Sequence, residues 1–172
     1  DSFPLYGPDV TICGGESRYY PCLFEHEFIP QISDLEALVD ENTKAILYNF
    51  PSNPTGATLT AAQRDELLEF AARHDLWIIS DEVYDRIVYS GDHVSFMGTG
   101  YEQLLLINSF SKTYAMCGFR VGYLWSLDQE LVKNVISMKT HTSMNTKILG
   151  QEMALAAIGV HASFIEEQLT VW

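Results

Sequence analysis

The stretch Ala45–Ile79, AILYNFPSNPTGATLTAAQRDELLEFAARHDLWII, decides the fold class. Ala45-Ile46-Leu47-Tyr48 at its start and Leu76-Trp77-Ile78-Ile79 at its end are short, continuously apolar runs. Between them the pattern changes period. Leu67, Leu68 and Ala71 mark an apolar helical stripe within about Ala61–His74, and Thr60 with Gln63 forms a capping-box pair at its start. Strand, helix, strand at this spacing is a βαβ crossover, so the two strands run parallel. Continuous rather than alternating apolar runs fit strands covered on both faces.

Working outward, Leu104–Ile107 and Val121–Trp125 read as further strands, and the chain from Asp128 onward reads as helical with a break near Gly159. No repeat, low-complexity tract or flexible linker interrupts the chain. The expected fold is α/β, a three-layer α/β/α arrangement with a mostly parallel central sheet.

Composition narrows the partners. The 172 residues are 47% hydrophobic and 19% charged, enough apolar surface to offset the ordering entropy that keeps polar chains disordered. Ten Lys and Arg face 23 Asp and Glu, a formal charge of −13 that repels nucleic acid and anionic lipid over most of the surface. A local cluster can still hold one small anion. No apolar run approaches the roughly 18 residues of a membrane span. The opening Asp1-Ser2-Phe3-Pro4 has neither the basic region nor the apolar stretch of a signal peptide, and a cytoplasmic location is expected. Cys13, Cys22 and Cys117 cannot all pair and form no C-x-x-C; with five scattered histidines they give no metal site.

In parallel sheets ligands gather beyond the carboxyl ends of the strands. After the first strand comes Asn49-Phe50-Pro51-Ser52-Asn53-Pro54-Thr55-Gly56; after the second, Ser80-Asp81-Glu82-Val83-Tyr84; after the third, Asn108-Ser109-Phe110-Ser111-Lys112, with Arg120 eight residues on. Singly, each has a plain reading: Asn-Pro-Thr-Gly is a good turn, Asp81 and the serines are ordinary caps, and Lys112 is a solvated cation. Together they describe one chemistry. An apolar strand feeding Lys112 places its amine in a dry environment, which favours the neutral, nucleophilic form. Hydroxyls, backbone N–H groups at a helix start and one Arg make a phosphate cradle. A carboxylate with a phenol three residues later suits a protonated pyridine nitrogen and a ring oxygen. Pyridoxal 5′-phosphate (PLP) carries all of these parts. A nicotinamide cofactor is disfavoured, because no G-x-G-x-x-G follows a strand.

NPTG at Asn53–Gly56, DEVY at Asp81–Tyr84 and SFSK with a following arginine at Ser109–Arg120 resemble the class I/II aminotransferases of PLP fold type I, in order and spacing and over nearly the whole chain. Ser2-Phe3-Pro4-Leu5-Tyr6 and Gly14-Gly15 fit as well. The resemblance implies that Lys112 forms the internal aldimine and shuttles the substrate's Cα proton, and that Asp81 pairs with the pyridine nitrogen. It implies that Tyr84 and Asn53 bond the phenolic oxygen, that Ser109, Ser111 and Arg120 bind the phosphate, and that Phe3 stacks on the ring; for Phe3 a plain core aromatic is the alternative. Gly118 and Gly122 would allow close backbone approach around the phosphate. Cys117 reads as a small buried filler and His141 as a solvated or core histidine. Ser143-Met144-Asn145-Thr146 departs from the Asn-Pro type of sequence often found there.

The family is considerably longer. The resemblance therefore implies that residues 1–172 are a partial large, PLP-binding domain, with an N-terminal segment and a C-terminal small domain absent. No arginine follows Arg120 to clamp a substrate α-carboxylate. The implied activity is α-amino transfer between an amino acid and a 2-oxo acid, in a parent protein that is a homodimer. The alternatives are a PLP-dependent C–S lyase on the same scaffold, or the ligand-sensing aminotransferase-like domain of a transcription regulator.

Overall fold

A computed structural model of the chain describes residues 2–160 and 162–171. In chain order the elements are α1 (Tyr6–Ile12), α2 (Ile32–Glu36), β1 (Ala45–Asn49), α3 (Ala61–Arg73), β2 (Trp77–Asp81), β3 (Leu104–Ser109), β4 (Gly122–Trp125), α4 (Gln129–Thr142), α5 (Ile148–Ile158) and α6 (Ala162–Val171).

The crossover forms as its residues dictate. Thr60 Oγ1 accepts from the Gln63 N–H at 3.2 Å, and Gln63 Oε1 accepts from the Thr60 N–H at 2.8 Å. This reciprocal cap satisfies two otherwise orphaned donors and is worth about 1 kcal/mol. The helix ends at Arg73, and Asp75 turns the chain through a left-handed conformation (φ 54°) into β2. α3 turns Leu67, Phe70 and Ala71 onto the sheet, where they bury completely with Tyr48, Ile78 and Leu104. Burying a Leu or Phe of this kind contributes roughly 1.5–3 kcal/mol. Phe96 closes the cluster by stacking on Tyr48, ring centres 5.5 Å apart.

The sheet order is β1-β2-β3-β4: β1, β2 and β3 run parallel, and β4 returns antiparallel to β3. The expected α/β fold with a mostly parallel sheet is what forms. At the turn into β4, a Cβ on Gly122 would sit 2.8 Å from the Asn108 carbonyl oxygen, so glycine is needed for β4 to pair this closely. That strand contact accounts for Gly122; around Gly118 there is open space.

Coverage of both sheet faces does not hold within this chain. Burial alternates along β2 and β3: Ile78, Ser80, Leu104, Leu106 and Asn108 are buried, whereas Ile107 is 38% exposed. The core with α3 covers one face, and the described residues supply only partial cover for the other.

The C-terminal region is helical as expected, and Gly159 caps the end of α5. Asp128 caps α4 by accepting from the N–H groups of Glu130 and Leu131. A second break, at residues 143–147, separates α4 from α5, with Met144 at φ 57°. α5 packs through small residues: Ala154 and Ala157 join Met116 and Val121 in a second cluster. A Cβ on Gly150 would approach Val121 Cγ2 to 2.7 Å. Among the described residues no single helix is long and apolar enough to cross a membrane.

Candidate active site

β1, β2 and β3 are parallel, so Asn49, Asp81 and Ser109 all end at one edge of the sheet. Asn49 and Asp81 are in direct register. Because Ser80 points into the core, alternation turns Asp81 to the less covered face.

Asp81 is held from three directions. Its Oδ2 accepts from the Tyr6 hydroxyl at 2.7 Å, its Oδ1 accepts from the Val83 N–H at 3.1 Å, and its backbone carbonyl accepts from Asn49 Nδ2 at 3.0 Å. Burial, then the hydrogen bond to Asp81 and that carboxylate's charge, push the Tyr6 phenol well above its usual range. Tyr6 therefore stays a donor, fixing the carboxylate's direction. Phe3 packs edge-on against Tyr6 with ring centres 5.5 Å apart and is 38% exposed, so it is not a core aromatic.

Asn53 and Tyr84 come together: Asn53 Nδ2 lies 3.5 Å from the Tyr84 hydroxyl oxygen. That long contact leaves both groups free to turn toward a shared acceptor. The Lys112 Nζ lies 5.7 Å from the centre of the Tyr84 ring. A carboxylate, a donor pair and an amine thus come from three successive strand ends.

The dry environment expected around Lys112 is not found; the residue is exposed. The reason is local. β3 ends at Ser109, and Ser111–Tyr114 form turns rather than a helix start, so Lys112 stands beyond the sheet instead of against it. Ser109 still caps locally, since its Oγ accepts from the Ser111 N–H at 3.0 Å. Arg120, left-handed at φ 57°, donates to the Cys117 carbonyl at 3.1 Å, and Cys117 Sγ donates to the Ser111 carbonyl at 3.2 Å. Cys117 is exposed and bridges this loop, rather than filling a buried space. His141 is exposed near the end of α4.

Behind Asp81 sits a buried charge that sequence reasoning passed over. Glu82, 3% exposed, accepts from Ser80 Oγ at 3.0 Å and from the Phe96 N–H at 3.1 Å, and its Oε2 lies 2.7 Å from His93 Nε2. Burial pushes its carboxyl up, but hydrogen bonds from His93, Ser95 and the Phe96 backbone outweigh burial and hold it below the usual range. Asn49 and Tyr6 were also not assigned roles. The strand-end rule would have found Asn49, whereas Tyr6, 75 residues from Asp81, has no local signal.

With this geometry in place, similarity to known proteins is informative. The sequence profile of "Aminotransferase class I and II" matches residues 2–169. The chain belongs to that family. It is 41% identical over 125 residues to an aromatic-amino-acid aminotransferase of Thermococcus litoralis, covering 71% of this chain and 32% of that protein. It is 33% identical to an aspartate aminotransferase of Thermotoga maritima, covering 93% of this chain and 43% of the relative. Among solved structures, an aromatic aminotransferase from Pyrococcus horikoshii superposes with a TM-score of 0.92 at 31% identity, over 98% of this chain and 46% of that one. A tetra mutant of the Thermus thermophilus aspartate aminotransferase superposes at 0.94 with 28% identity, over 98% of this chain and 47% of that one. The chain thus has the fold type I architecture and spans less than half the length of these relatives.

Class I and II aminotransferases work with PLP, and the residues here fit that group. Asp81 offers a carboxylate, Asn53 and Tyr84 offer two convergent donors, and Lys112 offers an amine.

Proposed function

We propose that the longer protein to which this chain corresponds is a PLP-dependent aminotransferase, moving an α-amino group between an amino acid and a 2-oxo acid. Residues 1–172 would be a partial large domain. The observation that carries the reading is the convergence of Asp81, the Asn53–Tyr84 pair and Lys112 at one sheet edge. The covalent partner would be Lys112. Ser109, Ser111 and Arg120, on the adjoining loop, would hold the phosphate, and Phe3, beside Tyr6, would stack on the ring.

Bound PLP supplies an electron-withdrawing pyridine ring that makes the hydrogen on the substrate's Cα acidic. Asp81, its direction fixed by Tyr6, would keep a proton on the pyridine nitrogen. Asn53 Nδ2 and the Tyr84 hydroxyl would donate to the ring oxygen. The Lys112 amine, freed once substrate has taken its place, would accept the substrate's Cα proton and hold it for return. Arg120 and the two serines would hold the phosphate and so restrain the cofactor beside Lys112.

A cytoplasmic, homodimeric protein is part of the same reading. Apolar residues exposed on α4 and α5, including Ile136, Met138, Leu149 and Leu155, support the association, since they are surface for the rest of the protein or a second copy to cover. The test is amino transfer by the full-length protein, measured with a panel of amino acids and a 2-oxo acid acceptor. Formation of the new amino acid is expected. Release of thiol and ammonia without transfer would instead make the protein a C–S lyase.

A further inference from the structure

Asn49 is the last residue of β1 and stands where the sheet ends and the Asn-Pro-Thr-Gly loop begins. Its single carboxamide makes two bonds of opposite sense. Nδ2 donates to the Asp81 carbonyl at 3.0 Å, and Oδ1 accepts from the Asn53 N–H at 2.9 Å. Asn49 and Asp81 are already register partners, so the first bond adds a side-chain rung at the last pair of the β1–β2 ladder. The second ties the loop's Asn53 to that same rung. Asp81 and Asn53 are the groups that would hold the ring nitrogen and the ring oxygen, and one planar amide bonds the backbone of both.

We propose that Asn49 is a positioning residue that sets the spacing between Asp81 and the Asn53–Tyr84 pair, and so the fit of the PLP ring between them. This rests on the PLP reading of the site. The carboxamide suits the role, because it presents a donor and an acceptor on one rigid plane. Alanine removes both bonds. Aspartate keeps an acceptor for the Asn53 N–H but turns a second acceptor toward the Asp81 carbonyl, breaking only that arm.

The spacing is read directly by PLP affinity in the full-length protein, measured by fluorescence titration of the cofactor-free form with PLP. N49A is expected to raise the PLP dissociation constant about tenfold. Because Asn49 acts partly through Asn53, N49A added to N53A is expected to cost distinctly less than N49A alone. N49D is expected to fall between wild type and N49A, and it carries the test if N49A fails to fold. A thermal melt of each cofactor-free variant provides the contrast, since a purely structural role would lower melting temperature and leave the coupling at zero. Dissociation constants within twofold of wild type for the folded variants, or full additivity of N49A and N53A, would overturn the proposal. Borohydride trapping of PLP on Lys112 in the wild type separates this failure from that of the underlying reading: trapping with unchanged affinities sinks only the Asn49 role, and no trapping sinks the PLP reading itself.

Discussion

Replacing Glu82 with alanine should destabilise the protein by several kcal/mol, although the residue touches no substrate. The carboxylate is 3% exposed and is contacted by Ser80 Oγ, the Phe96 N–H and His93 Nε2. Ser80 and Phe96 are themselves 2% and 1% exposed, so water cannot replace the lost acceptor for either. Two orphaned buried donors at about 1–3 kcal/mol each give a loss of roughly 2–6 kcal/mol. His93 reaches solvent more easily and adds little. Glu82→Gln keeps the volume and one acceptor oxygen and should cost only about 1–2 kcal/mol. Urea denaturation of the full-length proteins, followed by far-ultraviolet circular dichroism, measures both. An alanine variant within about 1 kcal/mol of wild type, below the cost of one orphaned buried donor, would refute the reasoning. So would a glutamine variant as unstable as the alanine one.

The same carboxylate predicts an acid-side dependence. Its folded pKa is depressed, so between the folded and unfolded values the unfolded chain binds more protons. Its contribution is fully present above the unfolded carboxyl value of about 4.3 and is lost as pH falls through the lower folded value. Glu82→Gln should flatten that part of the stability profile, and an unchanged slope would contradict the assignment.

Three further outcomes are expected. Asp81→Ala should leave PLP attached at Lys112 but slow single-turnover amino transfer about 100-fold or more, as seen by stopped-flow absorbance. Arg120→Ala should mainly weaken retention of PLP, so dialysis should strip the cofactor faster than from wild type. Thr60→Ala, which removes the cap on α3, should lower stability by about 1 kcal/mol in the same urea experiment without altering PLP affinity.

The fold was legible because its deciding signals are local. The capping pair Thr60 and Gln63, the stripe of Leu67 and Ala71, and the flanking apolar runs each act within a few residues. The grouping of Asp81, Asn53, Tyr84 and Lys112 at one end of the sheet was legible for a related reason, since parallel strands bring their carboxyl ends to one edge whatever their separation in sequence. Tyr6 and the Glu82–His93 pair were not, because their partners are fixed only by tertiary packing. The surroundings of Lys112 were misjudged on similar grounds. An apolar strand leading into a lysine says nothing about the turn that carries the amine clear of the sheet, nor about how completely one chain covers that sheet's second face.

The central claim is that Lys112 is the residue that bonds PLP. Borohydride reduction of the PLP-loaded full-length protein, followed by peptide mass spectrometry, tests it most directly. A pyridoxyl group on the peptide containing Lys112, lost in Lys112→Ala, is the predicted result. A pyridoxyl group on any other lysine, or none on a protein that has bound PLP, would contradict the account.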